Sequence, residues 1–212
     1  MKDKKTALSR EQAAQKLIEK LHRYKNRDTC VVSTSGGGLA LASQVAKALG
    51  ADLFFIPSEM VRHPGDRLKT LGVVTPEYSI LHDVDRDIPQ EFVYRKTRAL
   101  QSSLSLRYRN VYNPIAHRFH NRTVILVEEC LQTADKVLAC VKTIREQDPR
   151  KIVIAVLVVS TRVIHDLIAE GDSVQFLNIL PDKAIRRACQ GFDPISDEDI
   201  AGLMDVSADA SA

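Results

Sequence analysis

The sequence predicts an α/β domain: a doubly wound, mostly parallel sheet of Rossmann-like kind, with helices on both faces. Three observations carry this. Val124-Ile125-Leu126-Val127 and the run from Ile152 to Val159 are apolar throughout, the pattern of strands buried on both faces rather than one. Strand-like and helix-like segments alternate as β-α-β and, after a long excursion, as β-α-β-α-β. The first strand meets its helix through a glycine-rich turn, Ser35-Gly36-Gly37-Gly38.

The elements follow in order. Ser9 to Tyr24 reads as a helix, with Ser9 as N-cap and Gln12 completing a capping box. Ala13, Leu17 and Leu21 form its apolar face. Thr29 to Thr34 is a strand, Leu39 to Leu49 a helix closed by Gly50, and Leu53 to Ile56 a strand stopped by Pro57. Val61 to Ser79 is loop-like, with turn signals at Pro64-Gly65 and Thr75-Pro76; Val73-Val74 and Tyr78 to Leu81 form a small hairpin. Pro89 to Arg109 is a basic helix carrying Arg95, Lys96, Arg98, Arg107 and Arg109, with an apolar stripe of Phe92, Ala99, Leu100, Leu104 and Tyr108. Thr123 to Val127 is a strand, a turn covers Cys130 to Asp135, and a helix beginning near Ala134 finishes over Lys142 to Arg150. Ile152 to Ser160 is the strongest strand, Thr161 to Ala169 a short helix and Ser173 to Leu180 the last strand. Ile185 to Phe192 and Asp197 to Met204 close the domain, the latter capped by Ser196 with Asp199 at its third position. The domain is expected over residues 1–206, with a disordered tail at 207–212.

The totals narrow the function classes. The 212 residues suit one domain, and 44% hydrophobic with 27% charged residues is the balance of a globular protein. A net charge of +3 does not by itself call for nucleic acid. Cys30, Cys130, Cys140 and Cys189 show neither CxxC pairing nor zinc spacing, so free thiols in a reducing cytoplasm are expected. His117 and His120 have no ligand partner close in sequence and predict no metal site. The amino-terminal residues have no signal-like apolar region and no run reaches membrane-spanning length, which predicts a cytoplasmic protein.

Two turns carry the chemistry. Glu128 and Glu129 follow the strand that starts at Thr123, and a helix begins a few residues later. Acids next to a helix N-terminus suit a phosphorylated, polyhydroxylated ligand: free N–H groups hold phosphate, while carboxylates hold sugar hydroxyls or a magnesium ion. The glycine turn is a second anion cradle. It admits three readings: a diphosphate loop, a purely structural tight turn, or a dinucleotide fingerprint with Glu59 as the ribose acid, in which Leu41 occupies the third glycine position.

The stretch VILVEECLQTADKV resembles the ribose-phosphate signature of type I phosphoribosyltransferases, in which a strand delivers two acids to a Thr-Gly-x-Thr/Ser loop opening a helix. Glu128 and Glu129 match the acids and Thr133 the loop threonine, whereas Cys130, Ala134 and Lys136 depart from the small residue, glycine and final hydroxyl, and Asp135 adds a negative charge. At the first turn Gly36 replaces a family arginine, and Ser58-Glu59 stand where a basic pair follows the next strand. The Ile195-to-Asp199 end is also similar to an uncharacterised branch of that family.

The resemblance implies transfer of a 5-phosphoribosyl group from phosphoribosyl pyrophosphate, carrying magnesium, to a nitrogenous acceptor. Glu128 and Glu129 would be the catalytic acids and metal-facing groups, and Leu131, Gln132, Thr133, Ala134, Asp135 and Lys136 the phosphate and ribose loop. Ser35, Gly36, Gly37 and Gly38 would hold the diphosphate. A core over about 28–182 would carry a flap over about 58–81, bearing Arg62, His63, Arg67 and Lys69, and a hood over about 183–205. A homodimer is expected on the same basis. The alternative is a non-catalytic relative that binds a nucleotide or sugar phosphate, or that binds RNA or protein through the basic helix at 95–109.

Overall fold

A computed structural model describes residues 10–66, 69–82, 87–111, 118–189 and 194–209. Its main sheet has five parallel strands in the order β2-β1-β6-β7-β8. These are β1 (Thr29–Ser33), β2 (Asp52–Phe55), β6 (Thr123–Leu131), β7 (Lys151–Ser160) and β8 (Ser173–Leu180). Alternate side chains of the inner strands supply two separate cores, as period-2 geometry requires of a sheet covered on both sides. Val31, Ile125, Val127, Val153 and Ala155 pack with helices α1 (Arg10–Leu21) and α2 (Gly36–Leu49). Val32, Val124, Leu126, Ile152 and Ile154 pack with α4 (Asp135–Arg145) and α5 (Ile164–Glu170). The expected fold class is therefore the observed one.

The excursion between β2 and β6 is more ordered than its loop-like sequence suggests. β3 (Glu59–Arg62), β4 (Thr70–Val74) and β5 (Ser79–Leu81) form an antiparallel sheet in chain order. The expected hairpin is its second half; β3, with a register shift after Val61, is the part that went unread. Helix α3 (Gln90–Arg107) covers this sheet through Val93, Leu100 and Leu104, next to Val61, Leu71 and Val74. Thr97 is the other buried position on α3, whereas Ala99, expected in the stripe, is exposed. The arginines and lysine of α3 lie on its exposed side, where Arg95 pairs with Glu91 and Arg107 with Asp197.

The chain closes with α6 (Asp182–Cys189) and α7 (Asp197–Asp209), which place Ile185 and Ile200 in the first core. The expected cap is present: Ser196 Oγ accepts the Asp199 N–H at 3.1 Å, and Asp199 Oδ2 accepts the Ser196 N–H at 3.1 Å. α7 runs on to Asp209 and takes in the first residues of the expected tail. Ser9, Arg67 and His117 lie outside the described residues. Cys30 and Cys140 are buried free thiols, but Cys130 is disulfide-bonded, which corrects the expectation of four free cysteines.

Candidate functional site

In the strand order, β1 sends its helix α2 to one face and β6 sends α4 to the other. The order in which successive strands are added reverses between β1 and β6, and the crevice at their carboxyl ends is where open parallel sheets take ligands. Both singled-out turns meet at that crevice. β6 is longer than expected: it continues through the acids to Leu131, so Glu128 and Glu129 belong to the strand and Gln132 to Ala134 form the turn. Because successive side chains leave a strand on opposite faces, the two acids have different surroundings.

Glu128 is 2% exposed and both of its oxygens are engaged. Oε1 accepts from the Thr34 N–H (2.7 Å), Thr34 Oγ1 (2.8 Å) and Ser33 Oγ (3.2 Å), and Oε2 accepts from Ser35 Oγ at 2.7 Å. Burial pushes its pKa above the usual carboxylate range, and the four hydrogen bonds offset part of that rise. Ser35 also caps α2 by accepting the Gly38 N–H at 3.1 Å. One carboxylate thus ties the end of β6 to the start of the glycine helix.

Glu129 is 8% exposed and meets Arg10, from the first turn of α1. The Arg10 Nε donates to Oε1 at 2.6 Å and Nη2 to Oε2 at 3.3 Å, a two-pronged contact that matches guanidinium to carboxylate. The glycines of α2 lie directly beneath. A Cβ on Gly37 would press on the Glu129 carboxylate, and one on Gly38 would sit 2.8 Å from Glu128 Oε2 and crowd the Ser33 hydroxyl. The glycine turn is needed here for close approach between chain segments, since neither Gly37 nor Gly38 has a positive φ.

The β6–α4 turn is the third part. Ala134 is the N-cap of α4, with φ −86° and ψ −13°, and no side chain caps the helix. Alanine takes this right-handed conformation without strain, so the departure from glycine does not distort the turn. The first N–H groups of α4 have no side-chain cap, an arrangement that favours an anion. Asp135 and Lys136, the other departures, reach towards the excursion. Asp135 Oδ1 lies 3.2 Å from His82 Nε2, and Lys136 Nζ donates to the Ser58 carbonyl at 3.2 Å. Among the residues expected to form a flap, His63 accepts the Gly65 N–H through Nδ1, and Arg62 and Lys69 are exposed.

The family model described as phosphoribosyl transferase domain matches residues 5–171, spanning the glycine turn, the acid pair and the α4 turn. The chain belongs to the phosphoribosyl transferase domain family. Its fold is similar to that of TT1426 from Thermus thermophilus, at TM-score 0.72 and 27% identity over 92% of this chain and 96% of that one. It is more loosely similar to a purine phosphoribosyltransferase from Pyrococcus horikoshii, at TM-score 0.46 and 17% identity over 80% of this chain and 82% of that one. A hypoxanthine phosphoribosyltransferase from Staphylococcus aureus matches at TM-score 0.47 and 15% identity over 84% and 78%.

Within this family member, the structure brings Ser35 to Gly38, Glu128, Glu129 and the Ala134–Lys136 turn to one end of the sheet. The dinucleotide alternative gives way to the family assignment, and Leu41 shows why: it is fully buried in the core beside α1, where α2 packs by a side chain. Three participants were missed in the sequence. Arg10 carried no signal, being 119 residues from its partner. Ser33 and Thr34 form a hydroxyl run with Ser35, which is a readable hint of a buried acceptor.

The donor set does not suit a metal ion held by the protein alone. Both Glu128 oxygens are taken by hydroxyl and amide donors, both Glu129 oxygens face Arg10, and no cluster of three ligating side chains occurs among the described residues.

Proposed function

We propose that this phosphoribosyltransferase-like protein binds phosphoribosyl pyrophosphate and transfers its 5-phosphoribosyl group to a nitrogenous acceptor. The observation that carries the reading is the convergence of a glycine helix start, two acids and an uncapped helix start at the sheet's reversal point. In the transfer, the bond from the sugar's anomeric carbon to pyrophosphate breaks. A bond to the acceptor nitrogen forms, pyrophosphate leaves with the bonding pair, and the acceptor nitrogen gives up a proton. Backbone N–H groups of the Gly36–Gly38 turn hold the diphosphate, and those opening α4, with the Thr133 hydroxyl, hold the 5-phosphate. Magnesium arrives with the diphosphate as part of the substrate.

The two acids divide the work. Glu129, once Arg10 lets go, takes the ribose hydroxyls and stabilises positive charge developing at the anomeric carbon. Glu128, enclosed by the Ser33–Ser35 hydroxyls, is a positioning residue that fixes the diphosphate turn. Arg10 moves from its carboxylate to the incoming phosphates and supplies the positive charge that Gly36, Ser58 and Glu59 do not.

A pyrophosphate-release assay with magnesium, phosphoribosyl pyrophosphate and a panel of purine and pyrimidine bases tests this. Release that depends on one base and is lost in Glu129→Ala is the expected result. No release with any base, alongside saturable binding of the sugar diphosphate, would replace the enzyme by a binding protein of the same fold. A homodimer in the cytoplasm belongs to the same reading, and a monomer mass in light scattering would remove the dimer.

A further inference from the structure

The opposite end of the sheet holds a second constellation that the phosphoribosyl reading does not use. A cavity of about 590 Å³ lies at the amino ends of β1, β6 and β7, lined by Arg23, Tyr24, Arg27, Asp28, Arg150 and Lys151, with Asn26 and Thr123. Thr123 opens the strand on which Glu129 lies near the other end, so the cavity and the acid pair are about 20 Å apart at the ordinary rise per residue. Its volume is that of a small-molecule site.

The charge is one-sided. Four cations line the cavity against one carboxylate, Asp28, and that carboxylate is already paired with Arg122 at 2.8 Å. Arg150 donates to the Asp28 carbonyl (3.2 Å) and to Thr123 Oγ1 (3.3 Å), which orients the guanidinium without neutralising it. Arg23 stacks on the Tyr24 ring at 4.9 Å and donates to Ser173 Oγ at 3.3 Å, again a neutral acceptor. Arg27 and Lys151 make no side-chain hydrogen bond or ion pair among the described residues; Lys151 lies near Asp172, whose oxygens are taken by Arg145 and the Ile152 N–H.

We propose that this cavity is a second ligand site, distinct from the acid-and-glycine crevice, for a small anion carrying more than one phosphoryl group. Arg27 and Lys151 supply charge-assisted hydrogen bonds to its phosphoryl oxygens, and Arg150 and Arg23 flank it with pre-oriented guanidinium groups. Arginine and lysine also suit the carboxyl ends of helices, and α1 ends beside this cavity; that role alone needs no ligand, and it does not account for Arg27 and Lys151 lining one cavity without a side-chain partner among the described residues.

The test is calorimetric titration of the full chain with inorganic tripolyphosphate in magnesium-free buffer. Wild type should bind one equivalent saturably. Arg27→Ala/Lys151→Ala should bind about a hundredfold more weakly, as expected for two lost charge-assisted contacts. Gly37→Ala, which disturbs the far crevice, should bind as wild type does. The Arg27→Ala/Lys151→Ala variant should melt as wild type does without tripolyphosphate, and with it the ligand-induced rise in melting temperature should be lost. Unsaturable binding to wild type, an unchanged Arg27→Ala/Lys151→Ala variant, or loss of binding in Gly37→Ala would each overturn the proposal. So would a uridine decamer RNA that binds through Arg27 and Lys151 where tripolyphosphate does not. Because this site and the phosphoribosyl crevice are probed by different variants, failure of one leaves the other standing.

Discussion

Glu128 and Glu129 are neighbours in sequence with opposite dependence on the rest of the chain. Glu128 is held by hydroxyls that precede the glycine turn, and its raised pKa means that the native state keeps the proton more tightly than the unfolded chain. Its contribution to stability is present at low pH and is lost as pH rises from the usual carboxylate range through the higher folded value. Denaturant melts across that window should show stability falling with pH in wild type, and Glu128→Gln should remove that fall. Arg10→Ala leaves the Glu129 carboxylate enclosed without its partner, at a cost of roughly 2–3 kcal/mol in unfolding free energy. Cys30 makes the reverse case: burial pushes its thiol up to about 12, so it should resist alkylation in the native protein and react only on unfolding. The acids were legible because a strand ending in two carboxylates before a helix is a local pattern. Arg10 was not, since nothing local marks a residue whose partner lies 119 positions away.

At the scale of elements, the excursion is where reading the sequence fell short. Pro64-Gly65 and a run of charges signalled a loop, yet β3 pairs with β4 and α3 covers the result. The strands are short, and their apolar residues gain burial only from α3, which a single-strand pattern cannot reveal. Gly72 is the position on which this small sheet depends. It has φ +156°, and a Cβ there would run into the backbone of Ile80 on the paired strand. Gly72→Ala should therefore destabilise the β3–β5 sheet by roughly 2–3 kcal/mol, and hydrogen exchange should show its amides losing protection before those of β6 and β7. The same element meets Asp135 and Lys136. Their contacts with His82 and Ser58 join the α4 turn to the ends of the excursion, so a change at either residue should be felt in both segments.

Across the whole molecule, the strand order β2-β1-β6-β7-β8 puts the glycine turn, the acid pair and the α4 turn at one end of the sheet. The doubly wound parallel class, though not this strand order, follows from the sequence through two rules: apolar runs imply parallel strands covered on both faces, and right-handed crossovers place the connecting helices on those faces. What the rules leave open is occupancy of the crevice by the protein's own groups, because that depends on contacts between distant segments. In this structure Arg10 holds the carboxylate that a ribose would need. On the proposed reading, this acid-and-glycine crevice is a working sugar-phosphate site in which Arg10 changes partners. Calorimetric titration with phosphoribosyl pyrophosphate, with and without magnesium, tests it most directly when wild type and Glu129→Gln are compared. Magnesium-dependent binding to wild type in the micromolar range is expected, weakened about tenfold in Glu129→Gln, the size of one lost hydrogen bond to a charged group. Equal affinity in the two proteins, or no binding to wild type of either this ligand or ribose 5-phosphate, would contradict it and leave the crevice as scaffold.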